Sequence, residues 1–329
     1  MRLSVTVLSL ICCVPIAVSA QSARQERTFT LPAGVSAAAS LSRGASFSRT
    51  GNLVAAICSD NVVRVWSTRS GELMRSLDEN GKPPSAVQFS GDGRLLAVAY
   101  EINQYEEGII KIFDADSWKV RHDLAVPFTM DALAISPDKR RLAFSDRYTK
   151  VWDLSAQKNL ADISATFGGS NSMSFSPDGR WVATADGDGF VRIHDANTGT
   201  LRGTPTEFSL EPFAVAFSPD GKSVIAGGMD KTISVIDPET GKVLRMLPKQ
   251  PGLILSLDVS TDGKQAAVVY RSSESFVEAN HMILWDLVKE TVLVDFQKPG
   301  LIMIGGAFVG DHYVLATTSG SQLTLWSIP

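Results

Sequence analysis

The feature that most constrains this chain is an internal repeat. Phe217-Ser218-Pro219-Asp220-Gly221 recurs as Phe175-Ser176-Pro177-Asp178-Gly179, and more loosely at Phe47, Phe89, Ile135, Val259 and Phe308. These seven anchors stand 42, 46, 40, 42, 42 and 49 residues apart. Each is followed by a second mark: Val65-Trp66-Ser67, Ile112-Phe113-Asp114, Val151-Trp152-Asp153, Ile193-His194-Asp195, Val235-Ile236-Asp237, Leu284-Trp285-Asp286 and Leu325-Trp326-Ser327. Between marks the residues alternate, as in Val63, Val65 against Arg64, and the runs end at Gly, Asp, Asn or Ser, the pattern of short strands. In the Ser-Pro-Asp-Gly segments proline presets φ and glycine accepts positive φ, so each forces a chain reversal. A second reversal follows the second mark, at Ser70-Gly71, Thr198-Gly199 and Thr240-Gly241. Four strands per repeat result.

A four-stranded sheet of about forty residues cannot bury both faces alone and must stack on its neighbours; a radial stack of such sheets is a β-propeller. The expected fold is therefore all-β, a single seven-bladed propeller over residues 21–329. The chain stops just after the third strand of repeat seven. Arg27-Thr28-Phe29-Thr30-Leu31, ahead of repeat one, alternates correctly to supply the missing strand, so ring closure by an N-terminal strand paired with the last blade is expected.

Residues 1–20 read as a signal peptide. One charge, Arg2, precedes an apolar run from Leu3 to Ala17, and Val18-Ser19-Ala20 supplies the small residues of a cleavage site. The run is short against the roughly twenty residues that span hydrocarbon, so no stable membrane anchor is expected after cleavage. With Cys12 and Cys13 in the leader, Cys58 is the one remaining thiol, and no intrachain disulfide can form. The lack of disulfides and sequons favours a bacterial periplasm, or secretion, as the destination. The 31 basic against 35 acidic residues include no basic block, which argues against a nucleic-acid partner. At 44% apolar and 20% charged residues, the chain is too hydrophobic for disorder.

Through Trp152-Asp153, Trp285-Asp286 and their degenerate equivalents, the chain resembles the WD-repeat β-propeller family over residues 21–329. Its frequent Ser-Pro-Asp-Gly turns look like those of bacterial members, including related propellers of the envelope. The resemblance implies turn acids six residues before the Trp position: Asp60, Asp146, Asp188 and Asp230.

No catalytic or metal constellation is legible, and no cofactor is expected. The four histidines lack ligand spacing, and His194, at a Trp position, reads as core. Asp186-Gly187-Asp188-Gly189 reads as a hairpin turn rather than a calcium loop, and Cys58 as a small buried hydrophobe. The informative places are where repeats lengthen. From anchor to Trp position the repeats take 19, 24, 17, 19, 19, 26 and 18 residues, so repeats two and six carry insertions between their second and third strands. Residues 101–107 and 271–281 are expected as loops on one face, flanking the channel mouth, and per-repeat insertions on one face often form a binding surface. The candidate binding residues are Glu101, Tyr105, Glu106, Glu107, Arg271, Glu274, Phe276, Glu278 and His281, extended by Arg147 and Tyr148 of repeat three.

The leading expectation is an exported, monomeric, non-enzymatic scaffold that binds a protein or peptide, cationic or polar, in the cell envelope. The alternative is a propeller enzyme, lactonase-like or a cofactor-dependent dehydrogenase, with its site at the central channel. Small-ligand or metal sensing is a third reading.

Overall fold

The computed structural model describes residues 23–37, 44–48, 50–103, 107–127, 132–145, 148–163, 169–272, 280–297, 302–309, 312–319 and 321–328. Residues 1–20, expected as a signal peptide, lie outside them. The described residues form strands and turns without a helix, and hence include no helix long and apolar enough to cross a membrane. Seven antiparallel four-stranded sheets are arranged as a β-propeller. Six of them are meanders of consecutive strands. The seventh combines both ends of the described chain, with Arg24–Thr30 hydrogen bonded antiparallel to Gln322–Ile328.

The Ser-Pro-Asp-Gly turns show why this sequence reverses where it does. The Ser176 hydroxyl donates to the Asp178 carboxylate at 2.5 Å and accepts from the Trp181 amide at 2.9 Å, while Asp178 accepts from the Arg180 amide at 3.0 Å. Gly179 closes the turn at φ 70°. The same bonds recur around Ser90, Ser136, Ser218 and Ser260. Consecutive turns also touch. A side chain at Gly179, Gly221 or Gly263 would meet the proline of the preceding blade's turn, Pro137, Pro177 or Pro219, at 3.5–3.6 Å. The acid of the second mark has a similar task in the outer turn. Asp153 accepts the Ser155 and Ala156 amides, and Asp195 those of Asn197 and Thr198, which holds both carboxylates below the usual range even though burial works against ionising Asp195.

The core is not one mass but seven, one between each pair of neighbouring blades. Strand alternation sends successive side chains to opposite neighbours. In the third strand of blade one, Val63 and Val65 pack on Phe89 and Leu96 of blade two, while Trp66 packs back against Phe29 and Leu325 of blade seven. Phe29 is 3% exposed and its ring lies 5.5 Å from that of Trp66. Arg27 on the same strand donates to the carbonyls of Arg69 (2.6 Å) and Ser70 (3.1 Å) in blade one. The strand Arg24–Thr30 thus belongs to blade seven by hydrogen bonding and grips blade one by its side chains.

Whether that ribbon keeps the ring shut is open to a direct test. Phe29→Ala is expected to lower unfolding stability by about 3–5 kcal/mol, the usual cost of emptying a buried aromatic site, read from urea melts. A loss of less than 1 kcal/mol would show that the ring does not depend on it.

Candidate functional site

The turns between second and third strands all emerge at one end of the blades, so the expected recognition face is fixed by topology. What the structure changes is the nature of the insertions. In blade two the second strand runs through Leu95–Asn103 and the third starts at Glu107, with Glu101 paired to Gly108 and Asn103 to Glu107. In blade six the strands Gln265–Ser272 and Asn280–Asp286 continue the ladder to Tyr270 opposite His281 and Arg271 opposite Asn280. In blade two the ladder thus takes up residues 101–103 and 107, which were expected in a loop; in blade six it reaches Ser272 and Asn280, and residues 273–279 of the expected loop lie outside the described residues. Extending a ladder satisfies backbone groups that a loop would leave to solvent.

Of the candidate binding residues, Glu101 is half-buried on its strand and Glu107 is exposed, accepting from the Asn103 amide at 3.0 Å. Tyr148 is exposed at the entry to the third strand of blade three, Thr149–Asp153. Arg271 and His281 are half-buried, and the His281 ring stacks on Tyr270 at 5.0 Å. Tyr105, Glu106, Arg147, Glu274, Phe276 and Glu278 lie outside the described residues, as does Asp146.

The remaining turn acids take two forms. Asp60 grips Arg64 with both carboxylate oxygens, at 2.8 and 2.5 Å, and this pairing, with burial opposing it, holds its pKa below the usual range. Asp188 binds Arg192 the same way, at 2.9 and 2.8 Å, with the buried Asp186 as a third contact at 2.6 Å. Burial raises the pKa of Asp188, and Arg192 outweighs it. Asp230 instead accepts from the Thr232 amide and hydroxyl, at 3.0 and 2.7 Å. Arg64 and Arg192 each sit two residues before the Trp position, on the strand face buried against the preceding blade. These acids are counter-ions and turn caps. Cys58 is 1% exposed, and burial pushes its thiol up.

The channel is a cavity of about 300 Å³ lined by the first strands of all seven blades. Among its described lining residues, one is ionisable: Asp258. Both of its oxygens are engaged, by the Val259 and Phe308 amides at 2.9 Å each. Ser46 accepts the Phe89 amide at 2.9 Å and Ser174 the Phe217 amide at 3.1 Å. These three residues immediately precede their anchors, and each bonds to the anchor residue of the next blade. Sequence reading missed this stitch. Its signal was a polar residue immediately before the anchor. Among the described residues there is no group of three or more His, Cys, Asp or Glu that could hold a metal ion.

With the class of fold established as a seven-bladed propeller, comparison adds the type of repeat. The family described as WD domain, G-beta repeat matches residues 25–67, 161–195 and 199–237. The chain is similar to an uncharacterized WD repeat-containing protein of Synechocystis, 32% identical over 153 residues, which cover 46% of this chain and 44% of that protein. It is 24% identical over 147 residues to eukaryotic translation initiation factor 3 subunit I of Culex quinquefasciatus, 40% of this chain and 43% of that one. A third relative is the U3 small nucleolar RNA-associated protein 21 homolog of Schizosaccharomyces pombe, 29% identical over 148 residues, 44% of this chain and 16% of its own. The matched stretch spans less than half the length of each.

Asp60→Asn leaves Arg64 buried without its counter-charge. We expect a loss of about 2–3 kcal/mol in chemical denaturation, below the 3–5 of a fully buried pair because Asp60 is partly open to solvent. Adding Arg64→Met should restore most of it.

Proposed function

We propose that this protein is a WD-repeat propeller that serves as a rigid platform for a protein or peptide partner, exported through its N-terminal leader to the periplasm or beyond. The observation that carries the reading is the pair of lengthened hairpins in blades two and six, at the end of the sheets where second strands turn into third. The two blades stand three or four steps apart on a ring of seven, so their hairpins flank the channel mouth from opposite sides. Hairpins continued as ladders present side chains with little ordering cost on binding. Exposed Glu107, with Glu106 next to it in sequence, and exposed Tyr148 suit a partner with basic and apolar groups.

The alternative, an enzyme with its site in the channel, calls for convergent ionisable groups around a cavity. Asp258, bound on both oxygens to backbone amides, supports the platform instead.

Two measurements test the proposal. Replacing residues 101–107 and 271–281 with tight turns is expected to abolish partner recovery in affinity pulldowns from envelope extract while leaving the melting curve intact; undiminished recovery of the same partners would defeat the platform face. Intact mass of the protein from the periplasmic fraction is expected to correspond to a chain starting at Gln21.

A further inference from the structure

The seven inter-blade cores are not equivalent. Most are built on Leu, Ile, Phe, Tyr or Trp, but the core between blades three and four includes five alanines, Ala132, Ala134, Ala143, Ala161 and Ala196. The same seam encloses a buried polar chain. The Thr149 and Ser170 hydroxyls meet at 2.5 Å, Ser170 donates to Asp186 at 2.6 Å, and Asp186 is paired with Arg192. Ser145 accepts the Ser170 amide at 2.7 Å.

His194 faces this seam from the position that Trp326 takes in blade seven. There the indole Nε1 donates to Thr317 at 2.9 Å, Trp326 lying opposite Leu315 and Thr317 two residues further on. In blade four His194 lies opposite Val182, and Thr184 is two residues further on. The imidazole is shorter than an indole. Its Nδ1 lies 3.1 Å from the Gly199 carbonyl, so in the neutral ring it carries the proton and donates there. Nε2 is then an acceptor. Neither Nε2 nor the Thr184 hydroxyl has a hydrogen-bond partner among the described residues, and both are buried.

The segment that follows is held to blade four by few backbone bonds. The fourth strand of blade four pairs over Thr206–Glu207 alone, supplemented by a single bridge from His194 to Leu201. Between them the chain leaves blade four for blade five. The Thr204 amide and hydroxyl donate to the Thr240 carbonyl, the Thr206 hydroxyl donates to that of Gly241, and Arg202 pairs with Glu239 while lying 3.9 Å over the Trp181 ring. The bridge itself is made by the Arg202 amide on the Ile193 carbonyl at 2.7 Å and the Asp195 amide on the Thr200 carbonyl at 2.9 Å.

We propose that His194 is a proton-responsive pin: its protonation loosens the seam between blades three and four. A protonated ring turns Nε2 into a buried donor without a fixed acceptor. The charged groups around it are Asp186 and Arg192, already paired, Asp188 beyond them, Asp195 and Arg180 at the outer turn, Arg202 and Glu239 on the blade-five side, and Asp162 of blade three, whose carboxylate is bound by Asn159. Burial outweighs the pull of Asp186 and holds the imidazole below its ordinary value. The sign follows. Both folded and unfolded chains carry a neutral ring at pH 7.5, and as pH falls past about 6.5 the unfolded chain takes up the proton first, so stability is lost on acidification.

The test is hydrogen exchange of the full chain at pH 7.5 and 5.5, corrected for intrinsic exchange chemistry, together with an NMR titration of the imidazole. The expected result is loss of protection on acidification confined to residues 149–163 and 169–186, which meet at this seam, absent from His194→Trp, which restores the Trp–Thr pairing of blade seven. Loss spread equally over all seams, loss that persists in the variant, or an imidazole that titrates at or above 6.5 would each overturn the proposal. The titration and exchange of the native chain decide the matter even should the variant fail to fold.

Discussion

Every other feature of this molecule depends on one constraint: a four-stranded sheet has two faces, and here both must be buried against other sheets. A lone sheet of this kind, alternating apolar residues toward each side, leaves one apolar face in water whichever way it lies. Radial stacking removes the conflict. Val63 and Val65 serve one seam and Trp66 the other, and the same division recurs from blade to blade. Stability is therefore distributed over seven interfaces of similar design, and each can be tuned without disturbing the rest.

That tuning is visible in the polar groups. Arginines 64 and 192 would be costly on a buried strand face, and each is neutralised by an acid from the adjacent turn. Ser46, Ser174 and Asp258 satisfy amides on the inner edge of the next blade, where a sheet bordering a channel otherwise leaves donors open. The seam between blades three and four combines small apolar residues with the most extended polar chain of those described here.

The proposed recognition face inherits its geometry from the same stacking. Hairpins that grow from second and third strands share a direction because all blades share a topology, so two insertions far apart in sequence end on one side of the ring. Their described residues continue the ladder, Glu101 against Gly108 and Tyr270 against His281. A binding surface made this way is shaped before its partner arrives.

The number of blades, the turn positions and the four-strand repeat were legible in the sequence because they rest on local chemistry: alternation sets the strands, and Ser-Pro-Asp-Gly sets the reversals through bonds within five residues. The placement of Asp60 and Asp188 in turns was legible for the same reason. Their pairing with Arg64 and Arg192 was not read, although only four residues separate each pair, because it matters only once the strand face is buried. The anchor-preceding stitches, the diversion of residues 202–206 to blade five and the growth of hairpins where loops were expected were decided by tertiary structure alone. Each depends on which donor or acceptor a neighbouring blade brings within reach, and residues some forty positions apart meet only when the sheets are stacked.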